Sequence, residues 1–316
     1  MSLILSVETS CDDTSIAIFN NEKLLTQFTL SSSLEQSKYG GVVPEIACRE
    51  HLNNIHQCLI NCLKEINLSV FDINYIVYTE YPGLPGSLHI GILFAKMLAN
   101  LINVQAIGIN HLCGHIFSAF INENEIHYPF LSLVVSGGNS VIYKVDSPVK
   151  YKILNITVDD AIGEVYDKVA RALNWTYPGG PIIDRNYDEN KATINFIKKW
   201  PESTTNFSFS GLKTAVLNYI NTKKMKNENI DEIEIASSFQ KTAIELIIDK
   251  LQYYKSVYNI NCLVLGGGVS ANNLLRQSCK KITNDLYIPE LKYTGDNAAM
   301  IGYYGYLLLN YNNKIK

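Results

Sequence analysis

The chain has 316 residues, 47% of them hydrophobic and 18% charged, with a formal net charge of -3. That length exceeds a usual single core, so two domains of comparable size are expected, and the charge balance excludes a protein that grips nucleic acid through its overall field. The seven cysteines are odd in number and dispersed without a C-x-x-C pair, which suits reduced thiols and argues against a disulfide scaffold or a zinc ribbon.

The N-terminal segment MSLILSVETSCDD lacks a basic region and a small-residue cleavage site, so no signal peptide is expected. It reads instead as a strand LILSVE, a turn TSCDD and a strand TSIAIF, a hairpin with alternating apolar positions. HLNNIHQCLINCLKEI and SLHIGILFAKMLANLI carry helix-period apolar residues, while YIVYTE and QAIGIN read as short buried strands. None of these apolar runs reads as long enough to span a bilayer.

In INHLCGHIFSAF, His111 and His115 stand four residues apart, so a helix turns both imidazoles the same way. Such a pair can hold one metal ion or simply face a polar cleft. A zinc hydrolase of the H-E-x-x-H kind carries its general base directly after the first histidine, and here that residue is Leu112.

Near position 130 the opening pattern returns as LSLVVS, GGN and SVIYKV, so each half of the chain starts with a hairpin and two related domains are expected. A helix near DDAIGEVYDKVARAL, a rigid turn at YPGGP and a long helix near EIASSFQKTAIELIIDKLQYY follow. The polar stretch from about Asn186 to Asn206 has no clean period and reads as an irregular excursion or a pair of short helices. Lys223, Lys224 and Lys226, like Lys198 and Lys199, read as solvated faces more readily than as phosphate patches.

Three glycine-rich places invite an anionic or nucleoside ligand. VVSGGNS puts Gly137 and Gly138 at a bend where backbone N–H groups can approach one, although a tight hairpin also needs glycine. YPGGP is flanked by Asp167 and Asp184, whose carboxylates suit ribose hydroxyls but are as readily helix caps. LGGGVSANNLL matches G-x-G-x-x-A through Gly266, Gly268 and Ala271, but Asp285 precedes its strand, so a Rossmann reading is declined; what is left is a strand end opening a helix, with Asn272 free to bond a ribose or base. Asp296 opens the helix-like run YTGDNAAMIGYYGY, either as its cap or as an oxygen ligand beside the two histidines.

VETSCDDTS, YGGVVPEIA, PGLPGSLHIG, NHLCGH, SLVVSGGNS, DDAIGEVYDKVAR, YPGGP, FSFSGLKTA, GGGVSAN and GDNAAM follow one another as in the TsaD family, which includes the Kae-type subunit of the KEOPS complex. The chain resembles its bacterial or organellar branch over nearly its whole length. Cys113, Gln36, Tyr81 and Gly295 depart from residues common there. The resemblance implies an α/β fold of the actin-like ATPase, Hsp70 and sugar-kinase type, two RNase-H-like lobes around a nucleotide cleft. The first lobe would span residues 1–128, with the helix 296–316 packing back on it, and the second 129–295. It implies a cytoplasmic tRNA N6-adenosine threonylcarbamoyltransferase that moves the threonylcarbamoyl group of L-threonylcarbamoyl-adenylate to the adenosine next to the anticodon. His111, His115 and Asp296 would hold one divalent metal ion, Fe2+ or alternatively Zn2+. Val134, Val135, Ser136, Gly137 and Gly138 would line the substrate cleft, and Asp167, Gly180, Asp184 and Asn272 would contact the adenosine part of the donor. A TsaB-like paralogue and a TsaE-like ATPase are the implied partners, without a membrane. The rival readings are a non-catalytic scaffold of the same fold and a metalloprotease, which Leu112 disfavours.

Overall fold

The computed structural model describes residues 2–122, 125–197, 202–203 and 205–315, so Lys198 and Lys199 lie outside the described residues. The chain divides into two compact units: Met1–Ile126 with Ser147–Lys150 and Pro289–Lys316, and His127–Asp146 with Tyr151–Ile288.

In the first unit, β1 (Leu3–Glu8), β2 (Asp13–Asn20) and β3 (Lys23–Ser31) form an antiparallel meander, followed by the short α1 (Ser33–Ser37). The helices α2 (Pro44–Glu65) and α3 (Pro85–Ile102) each start at a proline, whose missing N–H is one the first turn leaves unpaired anyway. β4 (Tyr75–Tyr81) and β5 (Gln105–Asn110) add to β1 in parallel, giving the order β3-β2-β1-β4-β5. Leu5, Val7, Ile16, Ile18, Ile76 and Tyr78 bury one sheet face against α2 and α3.

By length and composition α3 is apolar enough to cross a membrane, contrary to the sequence reading. In the structure it packs on β4, β5 and α2, with Ala95 and Ala99 in the core. The α4 helix (His111–Phe117) and, at the chain end, α10 (Ala298–Ile315) belong to the same unit. α10 comes close to the sheet because Gly302 and Gly305 lack side chains: an added Cβ would lie 2.6 Å from the Phe19 ring and 2.7 Å from Val77.

In the second unit, β6 (Phe130–Val135), β7 (Ser140–Ser147), β8 (Lys150–Ile156), β9 (Leu263–Gly266) and β10 (Leu286–Tyr287) run in the order β10-β9-β6-β7-β8. Counted from the first strand of each unit, both sheets have the same topology: a central strand, two strands on its meander side and two on the other. The helices are α5 (Ile162–Ala172), α6 (Gly179–Arg185), α7 (Ser210–Met225), α8 (Glu232–Tyr258) and α9 (Asn273–Ile282). YPGGP is therefore a helix start, not only a turn, and the excursion after Asn186 contains one described 3-10 turn, Glu189–Lys191. α8 is capped by Asp231, which accepts from the N–H groups of Ile233 and Glu234, and it ends at Asn259 in the left-handed region (φ 51°).

Asp160, just before α5, ties that helix to α7 by accepting from Lys168 Nζ at 2.7 Å and Lys213 Nζ at 2.5 Å. The hydrogen bonds from Lys168 and then Lys213 hold its carboxyl below the usual range. A depressed folded pKa means this stability is present above the unfolded value of about 3.9 and is lost as pH falls through the folded one. Asp160→Asn should therefore cost about 1–2 kcal/mol at pH 7. The gap to the parent should narrow at pH 3, as measured by urea unfolding at the two pH values.

Candidate metal centre and nucleoside pocket

α4 starts where β5 ends, with the Asn110 side chain accepting from the N–H groups of Leu112 (2.8 Å) and Cys113 (3.3 Å). This cap fixes the helix phase, and His111 and His115 lie edge to face with ring centroids 4.7 Å apart. α4 meets α10 at Gly114, where an added Cβ would sit 2.9 Å from Ile301. At the start of α10 the free N–H groups go to other acceptors: Ala298 N to Ser15 Oγ, Ala299 N to Gln27 Oε1 and Met300 N to Asn297 Oδ1. Asn297, not Asp296, is thus the cap, and the Asp296 carboxylate turns to the histidines. Its Oδ1 is 3.2 Å from His115 Nε2 and 3.4 Å from His111 Nε2. One ligand atom from each of the three residues lies within 4.8 Å of the others.

Glu8 is the site residue that the motifs did not single out. It is fully buried at the end of β1, and its Oε2 lies 3.1 Å from His111 Nδ1, which also meets Ser10 Oγ at 3.1 Å. Thr79 Oγ1 donates to the same carboxylate oxygen, and Ser10 N donates to Oε1 at 2.5 Å. A carboxylate on Nδ1–H fixes the tautomer that leaves the Nε2 lone pair for a cation. The available signal was an acidic residue closing an apolar strand in step with Ser6, on the face that α10 covers.

The buried charges of the cluster set one another's ionisation. Burial works against a charged His111, yet Asp296 and Glu8 outweigh it and push its pKa up to about 10. His115 is lowered, first by burial and despite its hydrogen bond to Asp296. Burial opposes ionisation of Glu8 and Asp296 as well, but the His111 charge overrides it and holds both carboxyls low. Two carboxylates against one imidazolium leave a net negative pocket, so a divalent ion displacing the His111 proton fits in both charge and donor type. Cys113, two residues from either histidine and so about 160° around the helix, does not join the cluster.

The second site lies wholly within the second unit. A cavity of about 390 Å³ is lined by Gly137, Tyr166, Asp167, Gly180, Asp184 and Asn272, among others. Its glycines divide into two kinds. A Cβ on Gly163 would lie 2.6 Å from Ser136 O, one on Gly179 2.4 Å from Ala170 Cβ, and Gly267 has φ 84°, so folding alone requires these three. Gly137, Gly138, Gly180 and Gly268 have negative or extended φ and open space where a Cβ would stand, so neither packing nor backbone conformation asks for glycine there.

The other expected contacts fare unevenly. Val134 and Val135 are buried in β6, while Ser136 accepts from Asn139 N and shapes the bend. Asp167 Oδ1 accepts from Gly179 N at 2.8 Å, and burial raises its pKa despite the glycine N–H groups. Asp184 accepts from Asn273 N, Asn273 Nδ2 and Gln240 Nε2. The expectation of a free Asn272 amide is corrected. Its oxygen caps α9 through Leu275 N at 2.9 Å and its nitrogen donates to Gln240 Oε1 at 2.9 Å, leaving one N–H at the cavity wall. A roomier groove of about 620 Å³ between α8 and α9 is lined by Glu245, Asp249, Lys241 and Lys281, a mixed-charge surface without bare glycines.

The repeated sheet topology is that of the fold class of actin, Hsp70 and the sugar kinases. HypF of T. kodakarensis superposes with TM-score 0.64 at 15% identity over 98% of this chain and 48% of that one. The Acidaminococcus fermentans (R)-2-hydroxyglutaryl-CoA dehydratase component A does so with TM-score 0.54 at 12% identity over 100% of both chains. In sequence, residues 23–303 match the TsaD model, tRNA N6-adenosine threonylcarbamoyltransferase. The enzyme of that name from Ureaplasma parvum serovar 3 is 54% identical over 312 residues, 99% of this chain and 97% of that one. The chain belongs to the TsaD family, enzymes that transfer a threonylcarbamoyl group to N6 of adenosine in tRNA. A His-His-Asp cluster of the kind that can hold a metal ion is present among the described residues.

Proposed function

We propose that the donor is L-threonylcarbamoyl-adenylate and the acceptor is adenosine 37, next to the anticodon, in tRNAs reading ANN codons. The products are t6A and AMP. The observation that carries this reading is the 390 Å³ cavity, where Gly137, Gly180 and Gly268 stay bare without a folding reason, as the close approach of a nucleotide requires.

An exocyclic adenine amine is a weak nucleophile, because its lone pair is delocalised into the ring. The carbonyl it attacks must be activated beforehand, and a mixed carbamoyl–phosphate anhydride is such a carbonyl. The N6 lone pair forms the new C–N bond, the bond from carbonyl carbon to phosphate oxygen breaks, N6 gives up a proton and AMP leaves. No side-chain nucleophile is needed, so the work of the chain is alignment. Gly137 and Gly180 admit the nucleotide, and the Asp167 and Asp184 carboxylates hold the starts of α6 and α9 around it. A single-stranded anticodon loop lets the target base leave its stack.

His111, His115 and Asp296 would hold one ion. Two imidazoles with one carboxylate suit Fe2+, with Zn2+ the alternative. The bound ion would act as a Lewis acid toward an oxygen that gains negative charge.

A TsaB-like paralogue and a TsaE-like ATPase are the proposed partners, in the cytoplasm. On α3, Leu93, Met97 and Leu101 recur every fourth residue and are 56%, 71% and 70% exposed, an apolar stripe suited to a helical partner. A small net charge gives little grip on RNA, so tRNA binding would use a composite surface.

Incubating the chain with the adenylate and an unmodified ANN-decoding tRNA, with and without those partners, tests the reading by nucleoside mass spectrometry. Modified adenosine should form with the partners present and should fall at least a hundredfold for Asp296→Ala. If none forms, while Asp296→Ala matches the parent, a non-catalytic scaffold replaces the transferase. Cleavage of protein by the chain would bring back the metalloprotease.

A further inference from the structure

Gln240 is fully buried in α8, on turns that give Ala236, Phe239, Ala243 and Ile244 to the core. Burying an amide costs free energy unless both its ends are hydrogen-bonded. Here both are, and to different elements. Nε2 donates to Asp184 Oδ1 in α6 at 3.2 Å, and Oε1 accepts from Asn272 Nδ2 at the start of α9 at 2.9 Å. Asp184 and Asn272 line the 390 Å³ cavity, and Gln240 stands behind them. The chain of bonds runs in one direction. Leu275 N can only donate, so the Asn272 oxygen faces it and the Asn272 nitrogen faces Gln240. Asp184 accepts from Asn273 at both oxygens and takes the Gln240 nitrogen as a further donor. Turning either amide over would set like atoms against each other at both of its ends.

We propose that Gln240 is a positioning residue of this enzyme: acting through Asp184 and Asn272, it fixes the spacing of the α6 and α9 walls of the nucleoside pocket and the orientation of the Asn272 amide. The inference rests on the reading of this cavity as the nucleoside pocket. Methionine, of about the same length, would fill the space without the cost of burying an amide. What only the amide does is hold two cavity-lining residues of separate elements in place before the nucleotide arrives, which lowers the ordering cost of binding.

The test is calorimetric titration of the full chain with AMP, using the parent, Gln240→Met, Gln240→Glu and Gly180→Val, at a temperature where melting curves show each chain folded. Gln240→Met loses both bonds and should bind AMP about tenfold more weakly or worse. A role in the fold alone would lower its melting temperature and leave the affinity of the folded chain unchanged. In Gln240→Glu, burial beside Asp184 raises the new carboxyl, which is protonated at pH 5.5 and then donates to Asp184 and accepts from Asn272 as the amide does. Ionised at pH 9, it only accepts and repels Asp184. Tyr166 on α5 and Arg276 on α9, which interact with Asp184, and the AMP phosphate are common to both chains, so the ratio of parent to variant affinity reports the new carboxyl. That ratio should be within about threefold at pH 5.5 and about tenfold or more at pH 9. Should Gln240→Met not fold, the Gln240→Glu ratio decides alone. Gln240→Met binding within about twofold of the parent, or a Gln240→Glu ratio equal at the two pH values, overturns the role of Gln240, and abolished binding by Gly180→Val then leaves the pocket standing. If Gly180→Val binds AMP like the parent, or the parent binds none, the pocket reading fails and this inference fails with it.

Discussion

A His111→Ala/His115→Ala double variant should lose its metal to background in elemental analysis, and its transferase activity should fall by about a thousandfold or more. The two imidazoles supply two of the three converging ligand atoms, and Asp296 alone is a poor site. Removing both also leaves Glu8 and Asp296 as buried or half-buried carboxylates without a cationic neighbour, so a loss of about 3–5 kcal/mol in stability is expected as well. Two milder variants separate metal binding from folding. Glu8→Gln keeps the shape of the side chain but removes the carboxylate from His111 Nδ1, and metal affinity should drop about 10- to 100-fold. Cys113→Ser should keep its metal, because residue 113 lies on the far side of α4 from the ligands. Stoichiometric metal in the double variant would sink the assignment.

Gly180→Val should abolish AMP binding and leave the fold intact, whereas Gly179→Ala, one residue earlier and one carbon larger, should damage the fold. A Cβ at 180 meets no atom within 4 Å, so valine can be accommodated by the chain, but its methyl groups would stand in the cavity that Gly180 lines. At 179 the new carbon would lie 2.4 Å from Ala170 Cβ and 3.0 Å from Asp167 Cα, forcing α6 away from α5. Overpacking of this kind costs about 1–3 kcal/mol or more. Calorimetric titration with AMP and urea unfolding of both variants check the pair. Normal AMP binding by Gly180→Val would remove the cavity from the reaction.

Local pattern made several features legible in the chain. The strand pairs around ETSCDD and SGGN are hairpins because alternation and small bend residues are short-range signals, and their repetition announced two related units. The helical phase of His111 and His115 was readable for the same reason: four residues are one turn. The order of the motifs pointed to the family.

What lay beyond sequence reading depends on contacts between distant elements. Asp296 reaches His115, 181 positions away, and His111 beside it because Gly114 lets α4 meet α10 and Asn297 takes over the cap. Asn272 reads in sequence as a free ligand group and Asp184 as either a ribose partner or a cap, but Gln240 on α8 and the start of α9 consume most of their hydrogen-bonding capacity, and no local pattern carries that information. Glycines 163, 179 and 267 look no different in sequence from glycines 137, 180 and 268. Only the neighbours brought up by the fold separate those that packing or backbone geometry requires from those that leave room for a ligand.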